Sequence, residues 1–184
     1  MAKIPSEAKR VFEWVMFDVW QWEQKMFDGS VKTFERISRE HTVMVFVVSW
    51  DKIALVYQTQ PQKKGEWYWD FLWWRLDDGE EALDGAKREL LEEGGMVSDE
   101  WTLIRRYSQS WHIDWDTYYF VARDCCVVQQ PKLDSGEKLE IRWVSFDEMV
   151  EMIKTNKLWD ISLKAELMTL KVDGKLDEFR ELLF

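Results

Sequence analysis

Glu89, Glu92 and Glu93 stand at i, i+3 and i+4 within the segment running from Glu80 to Met96. On a helix, that spacing places three carboxylates on one face. Like charges so placed repel by roughly 0.2–0.5 kcal/mol per pair. A cation held between them reverses the sign, and an all-oxygen donor set of this kind suits Mg²⁺ or Mn²⁺. The opposite face carries Leu83, Ala86, Leu90 and Leu91 and can pack on a core. Gly94 and Gly95 follow, where a helix that must stop needs a left-handed residue.

The elements that hold this helix in place are legible from periodicity. Residues 10–36 read as an antiparallel ribbon, with Phe12, Trp14, Met16, Val19 and Trp22 apolar among polar neighbours and Asp28-Gly29-Ser30 as its turn. Residues 42–48 form a buried strand, Trp50-Asp51-Lys52 a turn, and 53–58 a second strand. A short aromatic strand over 66–72 leads through Asp77-Asp78-Gly79 into the acidic helix, roughly 82–94. Strands follow near 101–109, 117–123 and 138–145, with Trp143 assigned to the core by its alternation. Ser145 and Glu148 have the spacing of a capping box opening a further helix. A last helix runs from about Ser162 to Leu170, and 173–184 reads as a helical tail. The order of elements gives an α/β layered domain over 41–172, with a strand-rich arm over 1–40.

Composition narrows the function classes. A net charge of −10 over 184 residues argues against a general nucleic-acid or anionic-membrane surface. It leaves room for small phosphorylated ligands, because a bound dication inverts the local field. No apolar run approaches a membrane span, and the N-terminus lacks the apolar stretch of a secretion signal. The two cysteines, Cys125 and Cys126, are adjacent, which supports neither a disulfide framework nor a zinc cluster and suits a reducing, cytoplasmic compartment. Thirteen tryptophans are far more than a globular chain usually carries. Trp50, Trp73, Trp74, Trp111, Trp115 and Trp159 fall where loops or loop entries are expected, so they suit a surface or pocket meant to be covered.

Taken together, Glu80, Arg88, Glu89, Leu90, Glu92, Glu93, Gly95 and Met96 resemble the box of the Nudix hydrolases, Gly-x5-Glu-x7-Arg-Glu-U-x-Glu-Glu-x-Gly-U with U aliphatic. Eight of its nine fixed positions agree, and the first, a glycine in the family, is Trp74 here. The resemblance extends to the ADP-ribose (ADP-sugar) pyrophosphatase branch through the N-terminal ribbon, Leu55-Val56-Tyr57-Gln58, Tyr119-Phe120-Val121-Ala122 and Glu140-Ile141-Arg142-Trp143-Val144-Ser145. It implies a Nudix fold, with mixed β-sheets sandwiched between helices (α/β/α). It also implies Mg²⁺-dependent hydrolysis of a nucleoside diphosphate linked to another moiety. In that scheme Glu89, Glu92 and Glu93 hold metal, Arg88 orients them by ion pairing, Glu80 supports the site, and the backbone carbonyl of Trp73 can add a ligand. A homodimer through the N-terminal arm is implied as well.

The departures from the family pattern matter as much. The entry to the box should resemble Pro-Ala-Gly and reads Leu72-Trp73-Trp74. A bulky residue at a glycine position with φ > 0 would be strained, and its indole would take up room near the diphosphate. Two other segments that the fold would bring to the cleft, around Trp111 and Trp115 and around Trp159 and Ile161, are also more apolar than the branch pattern. Such a cleft would prefer a flat aromatic ligand. The pattern suits an engineered variant of a Nudix scaffold with little hydrolase activity, binding an aromatic small molecule through its cleft or a protein partner through its surface. A natural outlier with an unusual substrate is the alternative. Asp114 and Asp116 are candidate bases beyond the box. His112 is either a general base or an incidental loop residue, and Lys164 either a desolvated nucleophile or a snorkelling surface lysine.

Overall fold

The N-terminal ribbon pairs β1 (Lys9–Glu13), β2 (Asp18–Lys25) and β3 (Val31–Ser38) in antiparallel order. In the computed structural model, which describes residues 4–133, 138–158 and 160–184, these strands join one large mixed sheet. Its next members are β4 (Thr42–Ser49), β5 (Lys52–Thr59), β6 (Tyr68–Asp70) and β7 (Leu72–Arg75). Helix α1 (Ala82–Glu92) follows, then β8 (Met96–Val97), β9 (Glu100–Ser110), β10 (Ile113–Arg123) and β11 (Cys126–Val127). The chain closes with β12 (Lys138–Ser145), α2 (Phe146–Lys154), α3 (Ile161–Val172) and α4 (Leu176–Leu183).

The sheet order is β1-β2-β3-β10-β4-β5-β12, with β6 on β5, β7 on β4 and β9 on β10. Strand β10 runs parallel to β3 and β4, and the remaining pairings are antiparallel. A separate two-stranded sheet pairs β8 with β11.

Strand β4 explains the layering. Thr42 through Val48 are all buried, as a strand covered on both faces requires. Met44, Phe46 and Val48 pack on one side with Met149 and Ile153 of α2, Leu163 and Leu167 of α3, and Phe179 and Leu183 of α4. Val43, Val45 and Val47 pack on the other with Ala86 and Leu90 of α1. Alternation along one strand therefore places α1 on the opposite face from the C-terminal helices, giving an α/β/α sandwich.

Local signals account for the ends of elements. Ser145 accepts from the Glu148 amide while Glu148 accepts from the Ser145 amide, a complete capping box for α2. Asp160 caps α3 by accepting from the Leu163 amide at 2.8 Å. Gly95, at φ +63°, turns the chain after α1, and its carbonyl accepts from the Val128 and Gln129 amides. Trp143 differs from its expected core position: it is 39% exposed, and Val144 beside it is buried instead. Its strand, β12, is the edge of the sheet, and among the described residues only β5 pairs with it. Strand β10 starts four residues before the expected 117, so the β9–β10 hairpin is longer and carries Trp111 at its tip.

Candidate functional site

Helix α1 presents its acidic face toward a cavity of about 440 Å³. Arg88 organises that face. Its Nε and Nη2 donate to Glu80 Oε1 and Oε2, both at 2.9 Å, a bidentate grip. Its Nη1 donates to Glu89 Oε1 at 2.8 Å and to Glu92 Oε2 at 3.4 Å. Glu80 also accepts from the Asp77 amide at 3.0 Å, which ties the loop before the helix to the helix itself. Hydrogen bonding from Arg88 holds the Glu80 carboxyl below the usual range. Burial pushes Glu89 up, against the pull of Arg88 and with added repulsion from Glu92 and Glu80.

Trp74 supplies a contact to the third carboxylate. Its Nε1 donates to Glu93 Oε2 at 2.6 Å. Trp74 is only 6% exposed and lies in regular strand geometry opposite Val43, not at positive φ, so the strain expected of a bulky residue there does not arise. The ring packs with Leu76, Ala86 and Leu90 between sheet and helix. Trp73, one residue earlier, points the other way, is 46% exposed, and donates from Nε1 to Asp70 Oδ2 at 2.9 Å. Its backbone stands opposite Met44 in the β4–β7 ladder.

The cavity beside α1 is lined by Glu89, Glu93, Trp73, Trp74, Arg39 and Arg75, among others. Arg39 is held down by burial and by the neighbouring positive charge of Arg75. Its guanidinium lies 4.5 Å from the Trp115 ring centroid. A second cavity of about 370 Å³ shares Arg39, Phe71 and Trp73 with the first and adds Asp70, Trp115, Tyr119, Asp160 and Ile161. Trp73 thus stands between two compartments, one lined by the box glutamates and two arginines, the other by Phe71, Trp115 and Tyr119 together with Asp70 and Asp160. Burial raises the Asp70 carboxyl to about 6, opposed by hydrogen bonds from Trp73 and the Phe71 amide and reinforced by the charge of Asp160.

The fit to a hard dication is good in kind: three carboxylates from one helix face, two of them on the cavity wall. The present arrangement is hydrogen-bonded and not converged. Among the described residues no three His, Cys, Asp or Glu side chains gather about a common cation position.

The other expected residues are distributed as follows. Trp115 and Ile161 line the second cavity with Trp73. Trp111 is 76% exposed at the hairpin tip and lines neither compartment. Trp159 lies outside the described residues. Asp116 is bound by Arg106 and Ser108, and Asp114 lines other cavities, so neither faces Glu89 and Glu93. The exposed His112 contributes its carbonyl to the Ile37 amide, and Lys164 donates to Asn156 at 2.5 Å. Sequence reasoning passed over Arg39, Arg75 and Asp70. Only Asp70 carried a signal, an acid between two aromatics, Trp69 and Phe71. The arginines come from separate strand ends, and nothing in their local sequence marks them.

The NUDIX domain family model matches residues 38–167. No curated protein is detectably similar in sequence. A solved structure described as a crystal structure of ADP compounds hydrolase superposes with a TM-score of 0.67 at 19% identity, over 92% of this chain and 95% of that one. At that identity the likeness is one of fold.

Proposed function

The chain belongs to the Nudix family, and from that premise we propose that it hydrolyses the diphosphate of a nucleoside diphosphate linked to another moiety, an ADP-ribose-like compound, with Mg²⁺ or Mn²⁺. The observation that carries this reading is the junction of box and basic wall: Glu89 and Glu93 line one cavity with Arg39 and Arg75. Two neighbouring guanidiniums repel until an anion lies between them, and a diphosphate is such an anion. A solved structure with the same fold is described as an ADP compounds hydrolase, which is compatible with that substrate class.

Glu89, Glu92 and Glu93 are the residues that would hold the metal. When bound, it would neutralise the diphosphate oxygens and lower the pKa of water near the scissile bond. Arg88 keeps Glu89 and Glu92 in place and ties them to Glu80, so the acidic face does not spread under its own repulsion. Arg39 and Arg75 bind the substrate's charge. The flat walls of Trp73 and Trp115 suit a planar group in the neighbouring compartment.

ADP-ribose turnover with Mg²⁺ tests the proposal. Release of AMP above the buffer rate, lost in Glu92→Gln, is expected, whereas a rate equal to buffer overturns it. A second reading, a binding protein for an aromatic ligand or partner with little hydrolysis, is favoured by the Trp74 bond to Glu93. Intrinsic fluorescence titration with planar ligands separates the two. The apolar surface of the ribbon supports a homodimer, and the two free thiols suit a cytoplasmic setting. No described helix is long and apolar enough to cross a membrane.

A further inference from the structure

The Trp74–Glu93 hydrogen bond is a contact in this site that a hard cation taking Glu93 would have to disturb. The indole N–H aims its proton at Glu93 Oε2 from 2.6 Å. Glu89 and Glu92 are held together by Arg88 on their own side. No three acidic groups gather about one point among the described residues, so the box carboxylates must regroup to hold a cation, and Glu93 Oε2 joins only by giving up the indole proton. Trp74 cannot follow. Its backbone is fixed opposite Val43 in the β4–β7 ladder, and its ring is packed against Leu76, Ala86 and Leu90.

We infer that the Trp74 indole and a divalent cation compete for Glu93, so that cation loading requires the buried ring to release the carboxylate. Trp74 is then a positioning residue acting through Glu93, and it sets how much cation the site needs. The inference rests on the proposed divalent-cation site. A hydrogen bond to a charged group is strong enough that its loss on loading weakens cation binding by about tenfold or more.

The test is Mn²⁺ binding to the full chain, read from the electron paramagnetic resonance of free Mn²⁺. Trp74→Phe keeps an aromatic ring and removes the donor, and Trp74→Leu removes the donor by another route should the first fold poorly. Tighter binding by about tenfold in either variant, abolished when Glu93→Gln is added, is the expected result. Affinity in both variants equal to or below that of the unaltered chain overturns the competition. If Glu93→Gln alone still weakens Mn²⁺ binding in that case, the cation site stands and only the role of Trp74 falls. A second readout is the Mg²⁺-induced change in tryptophan emission, expected to be smaller in both Trp74 variants than in the unaltered chain. A change of the same size without Trp74 also overturns the inference. ADP-ribose turnover, measured in parallel, reports on the proposed reaction independently.

Discussion

Asp70 is the residue where burial and charge conflict most openly. Burial lifts its carboxyl from 3.8 to about 6, even though the Trp73 indole and the Phe71 amide both donate to it. A carboxyl raised on folding stabilises the fold while protonated. That contribution is full below about 3.8 and is lost as pH rises through about 6. The gap corresponds to about 3 kcal/mol at most. Asp70→Asn cannot ionise, so its stability relative to the unaltered chain is expected to rise between about pH 4 and about pH 8. Urea denaturation at the two ends of that window measures it, and a constant difference would remove Asp70 as the source. The same residue scale explains what sequence reading missed. The weight of Asp70, Arg39 and Arg75 comes from neighbours supplied by distant segments.

Helix α1 depends on a close approach that its composition hides. Gly85 sits mid-helix, where alanine would ordinarily gain about 0.5–1 kcal/mol. A methyl group there, however, would run into Leu76 Cδ2 and lie 2.7 Å from Glu80 Oε2. Leu76 is buried in the core and Glu80 is gripped by Arg88, so neither can yield easily. Overpacking of this kind costs about 1–3 kcal/mol, and it wins. Gly85→Ala is therefore expected to lower the unfolding midpoint and to loosen the Glu80–Arg88 contact. A raised midpoint would mean that the loop before the helix shifts freely. Periodicity located this helix, its apolar face and its glycine stop from sequence, because those features are local. The length of the β9–β10 hairpin and the edge position of Trp143 were not legible, because they follow from which strands end up as neighbours.

At the level of the whole molecule, the N-terminal ribbon is the outlier. Trp14 and Val15 are 66% and 86% exposed, Phe12 stacks on Trp14, and Met16 and Phe17, next in sequence, are exposed as well. Apolar exposure of this extent is what the proposed homodimer would cover. The homodimer proposed above predicts a solution mass about twice the 22.3 kDa of one chain. Light scattering after size exclusion measures it. Val15→Glu together with Trp14→Ser is expected to shift the mass toward one chain, and a single-chain mass for the unaltered protein would count against the arm as an interface. By itself the sequence determined the acidic helix, the apolar run that makes β4 a buried strand, and the family pattern, because spacing along the chain fixes which side chains share a face. Only the tertiary structure decided that Trp74 folds inward onto Glu93 while Trp73 faces the cleft, that Arg39 and Arg75 meet beside the box, and that Trp111 stays in solvent. Those outcomes depend on pairing between residues far apart in sequence, where packing and charge select among arrangements that the local pattern leaves equally open.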